Sequence, residues 1–98
     1  MTENDRIHIN ALSQLFPELS PTEGRVAILN TVMGQPVSVI AKEQGVQSDT
    51  VKTHFKRAKQ KLKCDSQQEL RSLIMLRILA HNFISTKKEL VTLNLDKI

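Results

Sequence analysis

The sequence of 98 residues has a single cysteine, Cys64, and its only aromatic residues are three phenylalanines. One cysteine cannot form an intramolecular disulfide, so the chain lacks the crosslinks that stabilise most small secreted domains. The N-terminus has no basic segment followed by an apolar one, and no apolar run approaches the roughly 20 residues that cross a bilayer. These absences predict a protein of the reducing cytoplasm that is neither exported nor held in a membrane.

Residue combinations typical of enzymes are missing as well. The sequence has no paired carboxylates, no nucleophile beside a base and no glycine-rich loop that would hold a phosphate. Neither His8 nor His81 has ligand-like spacing to His54, which disfavours a metal site. Cys64 has no partner in a catalytic motif, so we expect a small packing residue rather than a redox sensor. We therefore expect no enzyme activity, no metal and no cofactor.

Leu, Ile and Val are plentiful where aromatic residues are scarce, and this composition favours packed helices over a sheet. A chain of this length forms one domain and buries only about 60 to 65% of its unfolded surface. We expect an all-α fold of four to five helices, with help from a partner.

The positive charge is concentrated in residues 51–63, which contain six of the 14 cations and none of the ten acids. Four apolar residues of this segment recur at helical spacing: Val51, Phe55, Ala58 and Leu62. Four lysines repeat that spacing one position later: Lys52, Lys56, Lys59 and Lys63. The pattern predicts a helix over about 49–63, capped by Ser48 or Asp49, with a basic stripe beside its buried face. A solvated helix face is the alternative explanation of the lysines.

Two helices are predicted near the N-terminus. Apolar residues at three- and four-residue steps from Ile7 to Leu19 indicate a short amphipathic helix that ends before Pro17. Residues 20–23, Ser-Pro-Thr-Glu, form a capping box with proline at the first helical position, so they indicate a second helix. Its buried face is predicted to contain Val26, Leu29, Val32 and Met33.

A short helix over 37–44 is predicted to precede the basic helix. Ile40 and Ala41 would face inward, Gly45 would form the sharp turn, and Val46 would return to the core. Small Ala41 at the helix crossing and Gly45 in the turn meet the requirements of a helix-turn-helix.

A further capping box, residues 66–69, predicts a long helix to about Asn82. Apolar residues cover more than one side of it, so it has more than one surface to bury. We favour a dimer contact, and packing against the N-terminal helix or the tail is the alternative. The tail from Ile84 mixes helical and strand-like spacing, and we expect a helix.

The chain resembles the LuxR-type (GerE-like) DNA-binding domain over about Leu15 to Leu79. The matching residues are Leu19-Ser20-Pro21-Thr22-Glu23, Gly34, Ile40-Ala41, Thr50-Val51-Lys52-x-His54, Lys61-Leu62 and Ser66-x-x-Glu69-Leu70. The sequence departs from the family pattern at Thr22, Gly24, Gln44 and Gln67. We expect a DNA-binding domain over 19–83, an N-terminal amphipathic helix in 1–18 packed on the core and a C-terminal extension over 84–98.

The resemblance also implies roles for particular residues, because the third helix of this domain enters the major groove and the fourth often forms a symmetric dimer. Three residues would contact base edges: Lys52, Thr53 and Lys56. Five would lie near phosphates: Thr50, His54, Arg57, Lys59 and Lys63. Four would form the dimer interface: Leu73, Leu76, Arg77 and Ala80. Independently, lysine can bind guanine in the major groove, and the N-terminal part of a recognition helix reaches deepest.

The sequence therefore predicts a transcription regulator that binds double-stranded DNA, as a homodimer, without a small-molecule ligand. The alternative is a co-regulator or antagonist that pairs with a related regulator or with RNA polymerase. Residues 55–62 also look like the promoter-reading helix of sigma factors, but 98 residues cannot house the other domains such a factor needs.

Overall fold

In a computed structural model the chain folds into α1 (Glu3–Ser13), α2 (Pro21–Thr31), α3 (Val37–Gln44), α4 (Ser48–Lys61) and α5 (Gln67–Asp96). The structure describes the backbone of residues 2–96 and the side chains of residues 2–84. Within those bounds it contains no strand, which confirms the prediction of an all-α fold. No helix of the described part of the chain combines the length and apolarity needed to cross a membrane.

The central element is α2, which packs against each of the other four helices. Its residues 26–29, Val-Ala-Ile-Leu, are all buried, since neighbours cover the helix on more than one side. The prediction that Val32 and Met33 complete its buried face is wrong. They lie beyond the last residue of the helix and are 43% and 44% exposed. The other helices, including α4, are thus positioned through their packing on α2.

The predicted capping box at the start of α2 is present. The backbone N–H of Glu23 donates to Ser20 Oγ over 3.1 Å, and the backbone N–H of Ser20 donates to Glu23 Oε1 over 2.9 Å. Lys61, the last residue of α4, donates its Nζ to the same carboxylate oxygen over 2.7 Å. Glu23 is only 4% exposed, so this ion pair ties the end of α4 to the start of α2.

The electrostatics of Glu23 follow from these contacts. Burial alone would raise the pKa of its carboxyl, but the hydrogen bonds from Lys61 and from the Ser20 backbone outweigh burial and lower the pKa below its usual value. Glu23 is therefore held as a carboxylate in the folded protein.

The bounds predicted for the first helix are wrong at both ends. A capping box between Thr2 and Asp5 starts α1 at Glu3, and the helix ends at Ser13. Leu15, Phe16 and Leu19 belong to the following loop and contribute to the core from there. These three residues have helix-like spacing in the sequence because the successive turns of this loop also bring residues three positions apart to the same side of the chain.

Gly24 explains one departure from the family pattern. A Cβ atom at this position would lie 3.1 Å from the Cβ of Ser13, which is tighter than an ordinary contact. The glycine therefore permits α1 to approach α2 closely at the end of α1.

The last helix is longer than predicted. It continues without a break from Gln67 to Asp96, so the expected end near Asn82 is wrong and the extension from Ile84 is helical up to Asp96. At its start the Glu69 backbone N–H donates to Ser66 Oγ, as predicted, but the Glu69 carboxylate accepts from the Asp65 N–H instead of from Ser66. The last two residues of the predicted extension lie outside the described part.

We predict that Glu23→Gln lowers the free energy of unfolding by about 1 to 3 kcal/mol at neutral pH, because it removes a charged hydrogen-bond acceptor from a buried site. Since the folded state lowers the pKa of Glu23, its stabilisation is present above the unfolded-state value and is lost as pH falls through the folded-state value. Urea unfolding from about pH 7 to 3 should therefore show the wild type and the variant converging in acid. Glu43→Gln, on the exposed surface of α3, is the matched control. A gap between wild type and Glu23→Gln that stays constant to the lowest pH would contradict the prediction.

Candidate nucleic-acid interface

The helix-turn-helix consists of α3, the turn at Gly45 and α4. Gly45 has a φ of 67°, in the left-handed region that glycine adopts without strain. The backbone N–H of Val46 donates to the carbonyl oxygen of Ala41 over 3.0 Å and closes the turn. Ile40 and Ala41 are buried, as predicted. Val46 is 39% exposed, so its predicted return to the core is wrong: the turn holds it at the surface.

The buried face of α4 agrees with the sequence pattern. Val51, Phe55 and Ala58 are buried, and Leu62 packs against the core just beyond the helix end. The helix start differs from the prediction, because Gln47 occupies the N-cap position and makes no side-chain capping hydrogen bond. Ser48 and Asp49 lie inside the first turn instead, so neither caps the helix.

All three base-contact candidates are exposed on α4: Lys52, Thr53 and Lys56. The Thr53 hydroxyl donates to the carbonyl oxygen of Asp49 over 2.9 Å, so it is already used within the helix. Lys52 lies in the second turn of α4, and Lys56 lies one helical turn later, just past the middle of the helix. The N-terminal part of a recognition helix reaches bases most deeply, so Lys52 is the better placed of the two.

The phosphate candidates occupy different settings. Thr50 and Arg57 are exposed, and His54 and Lys59 are half-buried on the flanks of α4. Lys63 lies past the end of the helix with a left-handed φ of 58°. The expectation that the basic stripe runs through Lys63 along one helix is therefore wrong, because α4 ends at Lys61.

Lys61 differs from its neighbours, although sequence alone gives it the same appearance. Its ammonium is paired with buried Glu23, while no acid among residues 2–84 is paired with Lys52, Lys56 or Arg57. Lys61 thus contributes to the fold, and the other three present positive charge to solvent.

The dimer candidates also fall into different settings on α5. Leu76 is 66% exposed and Ala80 is exposed, while Leu73 is half-buried. Arg77 is engaged within the chain: it pairs with Glu18 over 2.7 Å, donates to the carbonyl oxygen of Leu15 and lies 4.9 Å from the centroid of the Phe16 ring. The hydrogen bond to Arg77 lowers the pKa of the Glu18 carboxyl. Arg77 therefore fastens the 14–20 loop to α5.

Cys64 packs against the core next to Leu62, and its thiol contacts the Leu62 carbonyl oxygen at 3.7 Å. Burial, together with the charges of Glu69 and Asp65, raises the pKa of this thiol. A raised pKa disfavours the thiolate, which is the reactive form. This environment is that of a packing residue.

A turn-linked helix pair with an exposed cationic second helix defines a DNA-binding domain of the helix-turn-helix class. The family model of the bacterial regulatory proteins of the luxR family (GerE) matches residues 17–74, more than half of the chain. The chain therefore belongs to the LuxR family of bacterial regulatory proteins, whose domain is a DNA-binding regulator of transcription. No curated protein and no solved structure matched the chain. The matched range leaves α1 and the C-terminal part of α5 outside.

We predict that Lys56→Ala and Lys61→Ala separate binding from stability. Lys56→Ala should weaken binding to a site selected from random duplexes by about 1 to 3 kcal/mol and relax the preference at one base position. Lys61→Ala should instead lower the free energy of unfolding by about 1 kcal/mol, because buried Glu23 loses its partner. Fluorescence anisotropy and thermal unfolding of both variants make the comparison. An equal loss of affinity on every sequence for Lys56→Ala would contradict base reading and indicate a phosphate contact.

Proposed function

We propose that this protein is a sequence-specific transcription regulator of the cytoplasm that binds, as a homodimer, a two-fold related DNA site. The observation that carries the proposal is that the cations of α4 differ in whether an acidic side chain pairs with them. Lys61 is neutralised by Glu23, whereas Lys52, Lys56 and Arg57 are exposed with no acidic partner among residues 2–84. A set of uncompensated cations on the second helix of a helix-turn-helix suits a polyanion in contact with that helix.

Within this proposal, some exposed residues contact bases and others contact phosphates. Lys52 and Lys56 would contact base edges, and Thr53 beside them would offer its methyl group, since its hydroxyl is bonded to Asp49. Thr50, His54, Arg57, Lys59 and Lys63 would lie near phosphates. Phosphate contacts give affinity and register, and base contacts give specificity.

The dimer would form through α5. Leu73, Leu76 and Ala80 follow one another at helical spacing, and Leu79 beside them is 59% exposed. Exposed apolar residues in a row on a helix favour a second helix as their cover. Two-fold pairing of α5 would place two recognition helices on half-sites about 34 Å apart, or a multiple of this distance.

The same apolar row favours a second candidate, a co-regulator or antagonist that pairs through α5 with a related regulator or with RNA polymerase. The two candidates differ in what they require of α4. A pure antagonist would not contact DNA and would not require exposed lysines aligned on the recognition helix. The presence of these lysines therefore favours the DNA-binding regulator. We expect no small-molecule ligand in either case.

We predict that the full chain binds mixed-sequence duplex DNA with a strong salt dependence. Anisotropy titrations at several salt concentrations should give a slope of log K against log[salt] of magnitude about 4 or more, since each neutralised phosphate contributes about 0.9. A variant with Lys52, Lys56 and Arg57 replaced by alanine should show a smaller slope, because it loses cations from the exposed face of α4. Absence of wild-type binding near about 50 mM salt would contradict the proposal and favour the protein-pairing candidate.

We predict that Leu76→Glu abolishes the dimer, because it places a charge in the centre of the apolar row. Sedimentation should show the wild type as a dimer and the variant as a monomer. Binding to a two-fold site should weaken more than binding to a single half-site. His81→Glu places the same charge about 140° around α5 and is the control. A variant with the same oligomeric state as the wild type would exclude Leu76 from the interface, and a monomeric wild type would exclude the dimer.

A further inference from the structure

A small groove lies beside the recognition helix, where α4 meets the beginning of α5. Its volume is about 220 Å³, and Val37 and Phe55 provide its apolar lining. Three of its lining residues are cations, Lys52, Lys59 and Arg71, and none of its lining residues is acidic. The groove is thus positively charged, and it is smaller than the roughly 300 to 1,000 Å³ of sites for drug-sized ligands.

Arg71 is the cation that α5 contributes, and neighbouring residues hold it in place. Its Nε donates to Asn30 Oδ1 over 3.1 Å, and Asn30 in turn donates its Nδ2 to the carbonyl oxygen of Gln35 over 2.9 Å. An arginine has five N–H donors, so this anchored side chain has further donors for an acceptor in the groove. No acid among residues 2–84 is paired with Arg71, in contrast to Arg77 six residues later.

The helix starts at the groove favour the same kind of ligand. Val37 and Gln67 line it and are the first residues of α3 and α5. The N-terminus of a helix carries a partial positive charge, and no side-chain cap bonds the first amides of α3. Three cations, two amide side chains and two helix starts around a small groove form an arrangement suited to a single phosphate group.

We propose that this groove binds one backbone phosphate of the DNA, which makes Arg71 a DNA contact supplied by α5. The inference rests on the proposed function, and the position of the groove supports it. Lys52, assigned above to base edges, and Lys59, assigned to a phosphate, both line the groove from α4, so a phosphate held between Lys59 and Arg71 borders the helix that would occupy the major groove. Lys59 and Arg71 then clamp the strand from two different helices. Free inorganic phosphate has the same chemistry and is the competing source.

Arg71→Gln tests the proposal in the full chain by anisotropy on mixed-sequence duplex DNA. We expect about five- to tenfold weaker binding on every sequence and a salt slope smaller by about 0.9, the contribution of one phosphate. Arg71→Lys keeps the charge and should retain the wild-type slope. Arg6→Gln is the control: it removes one positive charge from an exposed position of α1, a helix that packs on α2, and it should leave the salt slope and the affinity unchanged.

Three outcomes would overturn the proposal. A wild-type slope for Arg71→Gln would exclude a phosphate contact at Arg71 while leaving the DNA-binding function intact. Absence of DNA binding by the wild type would remove the proposed function and this site together. A titration with inorganic phosphate that shifts the Nε–H resonance of Arg71, combined with an unchanged slope for Arg71→Gln, would assign the groove to the free anion. If Arg71→Gln fails to fold, Lys59→Gln tests the α4 side of the groove, and an unchanged salt slope for that variant would overturn the proposal.

Discussion

The placement of the recognition helix depends on one carboxylate, that of Glu23. A single oxygen of this side chain accepts from the Ser20 backbone and from the Lys61 ammonium, so it starts α2 and holds the end of α4 at once. A buried carboxylate costs free energy unless it is paired and hydrogen-bonded. Here the carboxylate is both paired and hydrogen-bonded only when α2 and α4 have their native relative orientation. The pair therefore selects one orientation of α4 in addition to any net stabilisation.

Apolar packing supplies what this polar contact does not. The buried residues 26–29 give α2 a contact surface on several sides, and α4 adds Val51, Phe55 and Ala58 to it. Because the apolar side of α4 is fixed in the core, its flank with Lys52 and Lys56 faces solvent. The exposure of the basic residues thus follows from the packing of the apolar face in the core, and it suits the charged ammonium groups, which burial would penalise.

The elements that sequence predicted correctly are those specified by local chemistry. The capping box at Ser20 and Glu23, the left-handed turn at Gly45 and the buried face of α4 each follow from residues a few positions apart. Several of the incorrect predictions concern features that depend on distant parts of the chain, whereas the error at the start of α4 is local. Nothing near Val46 indicates that its turn lies at the surface, and the position of the loop after Ser13 depends on Arg77, about 60 residues away. Likewise, residues 51–63 show six similar cations, and only the position of Glu23 distinguishes Lys61 from the rest.

The anchoring of α5 links the proposed dimer to the spacing of the DNA contacts. Arg77 fixes α5 to the 14–20 loop through Glu18, and Arg71 fixes it to α2 through Asn30. Both contacts lie in the first three turns of α5, close to Leu73 and Leu76. In a two-fold dimer formed through these residues, α5 and α2 would fix the position of each α4 relative to the dimer interface. A rigid connection of this kind would make the distance between half-sites a property of the protein, so that DNA with a different spacing would have to deform to bind.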